Sequence, residues 1–262
     1  MLIAHESLII IRMEFLQSAL LGAIQGITEF LPVSSSGHLW VLQELFSVQS
    51  LTLEIFLHAG SLCAVVVFFW KDIVKIAKGL FQGETYGWKL LVATLCTFPL
   101  ALVMQRIFLQ DLSFQLVGIT LLITAALILV AEWGRGKKER DFTWTVAILL
   151  GLVQGIAVLP GISRSGLTIA FLIFLGLPRK KSAEISFLLS IPTILGALLF
   201  ALLENKNDFS LLAQPESWVG FIVSGLAAGV AIAWMMKLIE KNWIWFAPYC
   251  AVGGGVILLF FV

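Results

Sequence analysis

Apolar runs long enough to cross a bilayer constrain this chain more than any other feature. A crossing helix needs about 20 consecutive apolar residues, and such runs occur near residues 50–70, 87–106, 111–133, 182–203, 216–237 and 243–262. In hydrocarbon the backbone has no water to bond to, so segments like these form helices. The composition around them leaves too few charges for a water-facing surface: 60% of the 262 residues are hydrophobic, 13% are charged and the mean hydropathy is +1.00. A formal net charge of +1 removes the basic face that nucleic-acid binding needs, and 20 Phe with 9 Trp exclude disorder. The expected fold class is an all-α polytopic membrane protein. The first apolar run carries Gln25 and Glu29 and has no small-residue cleavage site before Pro32, so it is expected to stay in the mature chain.

Two segment pairs do not fit the crossing template. Residues 14–31 form a helix-like run that stops at Leu31-Pro32-Val33-Ser34-Ser35-Ser36-Gly37, with only a short limb over about 37–48. Residues 142–159 stop in the same way at Leu159-Pro160-Gly161-Ile162-Ser163-Arg164-Ser165-Gly166, before a short limb at 167–178. Limbs this short point to re-entrant hairpins. At a shift of 129, Gly22, Gln25, Gly26 and Ile27 fall on Gly151, Gln154, Gly155 and Ile156, while Ser34, Ser36 and Gly37 fall on Ser163, Ser165 and Gly166. The reading is one membrane domain of two repeats, about 1–134 and 135–262, each a re-entrant helical hairpin plus three transmembrane helices.

Three crossings per repeat is an odd number, so the repeats have inverted topology. The cations agree: thirteen of the seventeen Lys and Arg lie in 71–89, 135–140, 179–181 and 237–241, on one side of this map. Arg12, Arg106 and Lys206 lie on the other, and Arg164 is inside the membrane. The rich side is assigned to the cytoplasm and both termini to the outside. Trp70, Trp88, Trp133, Trp144, Trp218 and Trp243 fall near proposed helix ends, as interfacial rings do. The polar stretches 71–87, 134–141 and 204–217 read as loops, and His5 as part of a polar tail. Cys63, Cys96 and Cys250 read as small buried hydrophobes.

An ionised group at the bilayer midplane costs at least about 2.5–3.5 kcal/mol on insertion scales, so polar residues in these segments need a reason. Most come from the hairpin tips, which can meet near mid-membrane if the hairpins enter from opposite faces; Glu29 and His38 would then face Arg164. Arg164 lies among Gly161, Ser163, Ser165 and Gly166. A guanidinium beside hydroxyls, glycines and the N-terminus of a following helix is a fitting site for phosphate. The structural alternative is an Arg164–Glu29 ion pair that holds the repeats together, and the two roles can coexist. Gln25 and Glu29 stack on one helix face, suited to a divalent cation or a positioned water. Ser34, Ser35 and Ser36 beside His38 offer a hydroxyl nucleophile with a base, or a water activated by His38; for Ser34 and Ser36 helix capping is preferred. Glu54 and His58 are either partners of this centre or a bonded pair of their own. Thr168 completes the polar residues of the second tip, and Glu184 reads as a dipole or lysine partner.

At these residues the sequence resembles the bacterial undecaprenyl-diphosphate phosphatases of the bacitracin-resistance type. Gln25-Gly26-Ile27-Thr28-Glu29-Phe30-Leu31-Pro32-Val33-Ser34-Ser35-Ser36-Gly37-His38 is similar to the family's first signature. Pro160-Gly161-Ile162-Ser163-Arg164-Ser165-Gly166-Leu167-Thr168 is similar to its second, and the likeness extends over essentially the whole chain. The resemblance implies an inverted-repeat fold with two re-entrant hairpins. It also implies hydrolysis of undecaprenyl diphosphate, in the bilayer, to undecaprenyl phosphate and inorganic phosphate. That reaction recycles the lipid carrier of peptidoglycan synthesis at the outer face of the bacterial cytoplasmic membrane and confers bacitracin resistance. By the same resemblance Glu29 and Gln25 hold a divalent cation (Mg2+ or Ca2+) or water, Ser35 and His38 do acid–base or nucleophilic work, and Arg164 with Ser163, Ser165 and Thr168 holds the diphosphate. Gln25 stands where many relatives have Glu, which moves the base to His38 or Glu29. The expected partners are the lipid substrate and a second copy of the chain in a homodimer. The competing reading is a lipid-phosphate transporter or flippase built on the same anion site; a hydroxyl beside a base favours the enzyme.

Overall fold

Helix boundaries in this chain follow its breakers. The computed structural model describes residues 2–46, 51–108, 112–136, 139–204 and 214–262. In chain order the helices are α1 (Leu2–Phe30), α2 (Ser35–Phe46), α3 (Leu51–Phe68), α4 (Trp70–Phe81), α5 (Thr85–Phe108), α6 (Phe114–Trp133), α7 (Trp144–Ile156), α8 (Arg164–Phe174), α9 (Arg179–Glu204), α10 (Pro215–Leu238) and α11 (Phe246–Phe260). Among the described residues there is no strand. Five helical segments are long and apolar enough to cross a membrane, within α5, α6, α9, α10 and Trp243–Phe260, and a sixth crossing is formed if α3 and α4 count together. The chain is a multi-pass helical membrane protein.

The two short limbs are helices of 12 and 11 residues, α2 and α8. At about 1.5 Å per residue each is under 20 Å long, against a hydrocarbon core of about 30 Å. Each folds back on the helix before it, α2 on α1 and α8 on α7. Helix α1 starts at Leu2, so His5 lies in its first turns rather than in a tail. No proline interrupts the chain before Pro32, and Leu8-Ile9-Ile10-Ile11 extends the apolar run backwards.

Residues 71–87 are not a loop. Trp70–Phe81 is a helix bent by 77° from α3, because Ile73, Ile76 and Leu80 recur at helical spacing between Lys71, Asp72, Lys75 and Lys78. Ile73 and Ile76 pack on the core while the lysines face outward. The expected loops hold at 134–136 and 139–141; residues 205–213 of the third loop lie outside the described residues. Trp243 stands at the start of the Trp243–Phe260 span, as expected, and is fully buried within the protein. Its indole N–H finds a carboxylate, Glu132 Oε2 at 2.7 Å, which removes the cost of burying it. Glu132 also pairs with Arg179, tying the ends of α6 and α9 together. Of the cysteines, Cys250 is buried, Cys96 is partly buried and Cys63 is exposed.

Small residues let the long helices approach, as membrane helices require when lipid is as apolar as the protein. Gly22 and Gly26 set α1 against the backbone of α10 at Gly220 and Ser224. Gly151 and Gly155 set α7 against α5 at Ala93 and Thr97 in the same manner. A side chain added at Gly26 would meet Ala227 Cβ and Ala228 N at 2.8 Å. Gly26→Val should therefore destabilise the protein by about 1–3 kcal/mol, measured as a lower thermal unfolding midpoint in detergent. Gly253→Val, at a position with open space around it, should leave the midpoint unchanged.

Candidate active site

Both hairpins turn at a proline and restart on a capping serine. In the first, Ser34 takes a left-handed conformation (φ 68°) and its Oγ accepts from Gly37 N at 3.2 Å. In the second, Gly161 supplies the left-handed turn (φ 90°) and Ser163 Oγ accepts from Gly166 N at 3.0 Å. The capping role expected for Ser34 is observed; Ser36 lies with its Oγ 3.4 Å from Ser34 Oγ. The tips touch. A Cβ on Gly37 would lie 3.0 Å from Gly161 Cα, and Ser165 Oγ donates to Leu31 O at 3.0 Å. Helix α6 braces the second tip: Thr120 donates to Pro160 O at 2.6 Å and Thr124 to Gly161 O at 3.0 Å, while Ser163 N donates to Thr124 Oγ1. Helix α11 braces the first, with Cys250 Sγ donating to Pro32 O at 3.4 Å.

At this junction the Glu29 carboxylate is nearly enclosed, at 6% exposure. Arg164 Nη2, from the other hairpin, donates to its Oε1 at 2.5 Å. Ser35 Oγ donates to Oε2 at 2.6 Å and Gln25 Nε2 does so at 3.0 Å. His58 Nε2 stands 3.5 Å from the same oxygen. The structural alternative weighed for Arg164 is thus realised, an ion pair between the hairpins. The guanidinium has a second contact, Nη1 to Ser186 O at 3.3 Å. Gln25 Nε2 also reaches Ser61 Oγ at 3.4 Å, while Gln25 Oε1 is buried with no partner. That orphaned acceptor belongs to the same amide whose Nε2 bonds the carboxylate. Among the described residues, however, no group of three or more His, Cys, Asp or Glu converges to hold a metal by itself.

His38 does not face Arg164. It lies on the side of α2 toward α11, where Nδ1 is 2.7 Å from Ser34 O and Nε2 is 2.8 Å from the Tyr249 hydroxyl, with the two rings stacked. A carbonyl only accepts, so Nδ1 carries the proton and Nε2 presents its lone pair to Tyr249. Ser35 and His38, three residues apart, are only about 60° apart around α2, yet Ser35 bonds Glu29 while the longer imidazole reaches Tyr249 of α11. Ser163 and Ser165 are buried with their hydroxyls 3.2 Å apart. Thr168 is also buried, its Oγ1 2.8 Å from Arg164 O and 2.7 Å from Ser186 Oγ. Glu54 and His58 meet through the helix backbone, His58 Nδ1 donating to Glu54 O at 2.8 Å. Glu184 pairs with Lys181 at 3.2 Å, away from the centre.

Four partners escaped the sequence reading. Tyr249 is one of two tyrosines in the chain and sits within an apolar helix, which is a signal in itself. Ser186 belongs to a stripe, Ser182, Ser186 and Ser190, at i,i+4 spacing and fully buried. Thr120 and Thr124 make a similar pair on α6.

The fold and this junction define a polytopic membrane protein with a charged centre where two helical hairpins meet. Residues 18–256 match the family model described as bacitracin resistance protein BacA, and the chain belongs to that family. It is similar to the undecaprenyl-diphosphatase of Desulfatibacillum aliphaticivorans, 38% identical over 94% of this chain and 99% of that protein. It is also similar to those of Bacteroides thetaiotaomicron, 34% identical over 94% and 99%, and Corynebacterium glutamicum (strain ATCC 13032), 35% identical over 94% and 90%.

Removing one member of a buried pair leaves the other charge uncompensated. Arg164→Ala should cost about 3–5 kcal/mol of stability, and adding Glu29→Gln should recover part of the loss in the same thermal unfolding assay.

Proposed function

We propose that this protein hydrolyses undecaprenyl diphosphate to undecaprenyl phosphate and inorganic phosphate, recycling the lipid carrier of cell-wall synthesis. The carrying observation is the Glu29 carboxylate held between Arg164 of the opposite hairpin and Ser35 of its own. Arg164 stands in the first turn of α8, where unpaired backbone N–H groups and the helix dipole also favour an anion. A diphosphate that takes the guanidinium displaces Glu29 Oε1 from it. The carboxylate is then free to accept a proton from Ser35, or from a water in its place, as that oxygen attacks the terminal phosphorus. The bond from phosphorus to the bridging oxygen breaks, and undecaprenyl phosphate leaves with the electron pair. Attack by water gives inorganic phosphate at once; attack by Ser35 gives a phosphoserine, whose phosphorus a water then attacks, breaking the Ser35 oxygen–phosphorus bond, releasing inorganic phosphate and restoring the hydroxyl. Arg164 neutralises the charge that builds on the phosphoryl oxygens.

In this reading Glu29 is the base for Ser35, and His38, whose Nε2 accepts from Tyr249, is the second acid–base group. Ser163, Ser165 and Thr168 act from behind: they cap α8, join it to Leu31 and Ser186, and so hold the guanidinium in place. A divalent cation, Mg2+ or Ca2+, fits at Glu29 and the free Gln25 Oε1, where it would neutralise phosphate oxygens. One carboxylate is enough for such an ion when water and phosphate complete its shell.

The two halves are proposed to be inverted repeats with both hairpins re-entrant. The glycine contacts of α1 on α10 and of α7 on α5 support this, as do the bonds from Thr120 to Pro160 and from Cys250 to Pro32. With the lysine-rich segments in the cytoplasm, the first hairpin enters from outside, and the centre is reached from the outer face of the cytoplasmic membrane.

The test is phosphate release from undecaprenyl diphosphate by detergent-purified protein. Wild type should release phosphate, a chelator should suppress it, and Arg164→Lys should lower kcat/KM at least about 100-fold, because a point charge does not reproduce the planar fork. His38→Ala should lower kcat by about 10²–10⁴-fold. No release from folded wild type across several prenyl diphosphates would favour a carrier.

A further inference from the structure

An apolar groove runs beside the charged centre. It is formed by α1, α10 and the start of α11, has a volume of about 510 Å3, and is lined by Ile27, Leu31, Trp234, Leu238, Trp245 and Phe246 among others. Ile27, Trp234 and Trp245 are all more than a third exposed, so the groove opens sideways on the apolar surface of the bundle. It shares one turn of α1 with the catalytic carboxylate: Thr28 and Leu31 line the groove, and Glu29 between them reaches Arg164 and Ser35. Its other link to the centre is Tyr249, whose ring lines the groove while its hydroxyl is 2.8 Å from His38 Nε2.

We infer that this groove seats the isoprene units nearest the diphosphate, with Ile27, Trp234 and Trp245 gripping the tail and Tyr249 marking where tail gives way to headgroup. The inference rests on the phosphatase reading and names the tail subsite of that same centre. The physical need is plain. A diphosphate held by Arg164 is covalently tied to an apolar chain, which has to leave the polar centre within a bond or two. An apolar channel reached across a single turn of α1 meets that need without exposing hydrocarbon to buried charges. The groove is also laterally open, so the rest of a long tail stays in lipid. Tyrosine suits the junction because its ring packs on apolar chain while its hydroxyl stays with the polar side.

A methylene-bridged, non-hydrolysable prenyl diphosphonate with a diazirine in the isoprene unit next to the headgroup tests this on wild-type protein in detergent. The expected adducts fall on Trp234, Trp245 or Tyr249 and drop at least about fivefold with excess undecaprenyl diphosphate but not with phospholipid. Adducts elsewhere, or adducts that phospholipid removes equally, would overturn the subsite. In kinetics, Ile27→Trp should raise KM for undecaprenyl diphosphate about tenfold and act on KM rather than kcat. Leu259→Trp, exposed and outside the groove, should change neither. An unchanged KM in Ile27→Trp contradicts the assignment. Labelling does not require turnover, so the two readings fail separately. Protein that labels in the groove but releases no phosphate refutes hydrolysis alone, and protein that releases phosphate but labels elsewhere refutes the groove alone.

Discussion

A carboxylate and a guanidinium that cannot be left alone in a membrane hold this structure together. Glu29 and Arg164 come from different hairpins, 135 residues apart, and are almost entirely removed from solvent. Each makes the other tolerable, and neither hairpin could keep its charge buried without the second. The remaining polar contacts at the junction serve to deliver that pair. Serine caps restart the helices after each proline, threonines of α6 and the thiol of α11 grip the turn carbonyls, and Ser165 bonds one tip to the other. Farther out, glycines bring α1 onto α10 and α7 onto α5, so each hairpin's first limb is positioned by a long helix from the other half.

In the proposed reaction the same pair has a second use. A buried ion pair contributes little net stability because desolvation consumes most of the attraction. In the proposed reaction a diphosphate, of higher charge than the carboxylate, competes for Arg164, and the displaced carboxylate takes up a proton rather than staying buried and unpaired. Ser35, on the carboxylate oxygen that Arg164 does not hold, is already in place for the proton transfer. The proposed catalysis uses an arrangement that the fold maintains when no substrate is bound.

Much of this was legible in the amino-acid sequence, for physical reasons. The long apolar runs and the paired Pro/Ser/Gly breaks mark the helices and hairpins, because bilayer thickness and helix capping leave little choice. The intramembrane charges mark the centre, because they are costly. What escaped was set by three-dimensional partners. Three residues separate Ser35 from His38, yet one meets Glu29 and the other Tyr249, and no spacing rule says which hydroxyl an imidazole finds across 211 residues. Helix α4 hid in a polar stretch because amphipathic spacing in a short, lysine-rich segment resembles a loop when only mean polarity is read. Trp243 sits at a helix end as expected, yet its burial escaped because Glu132, which receives its N–H, is distant in sequence.

The central claim is that diphosphate takes Arg164 from Glu29 and that the freed carboxylate then does chemistry. It is tested most directly by measuring binding and turnover together in Glu29→Gln. The account predicts that this variant binds the methylene-bridged prenyl diphosphonate at least as tightly as wild type in metal-free buffer, since its guanidinium is no longer claimed. It also predicts that hydrolysis of undecaprenyl diphosphate, with divalent cation restored, falls at least about 100-fold. Phosphate release at the wild-type rate, or binding lost along with turnover, would contradict it.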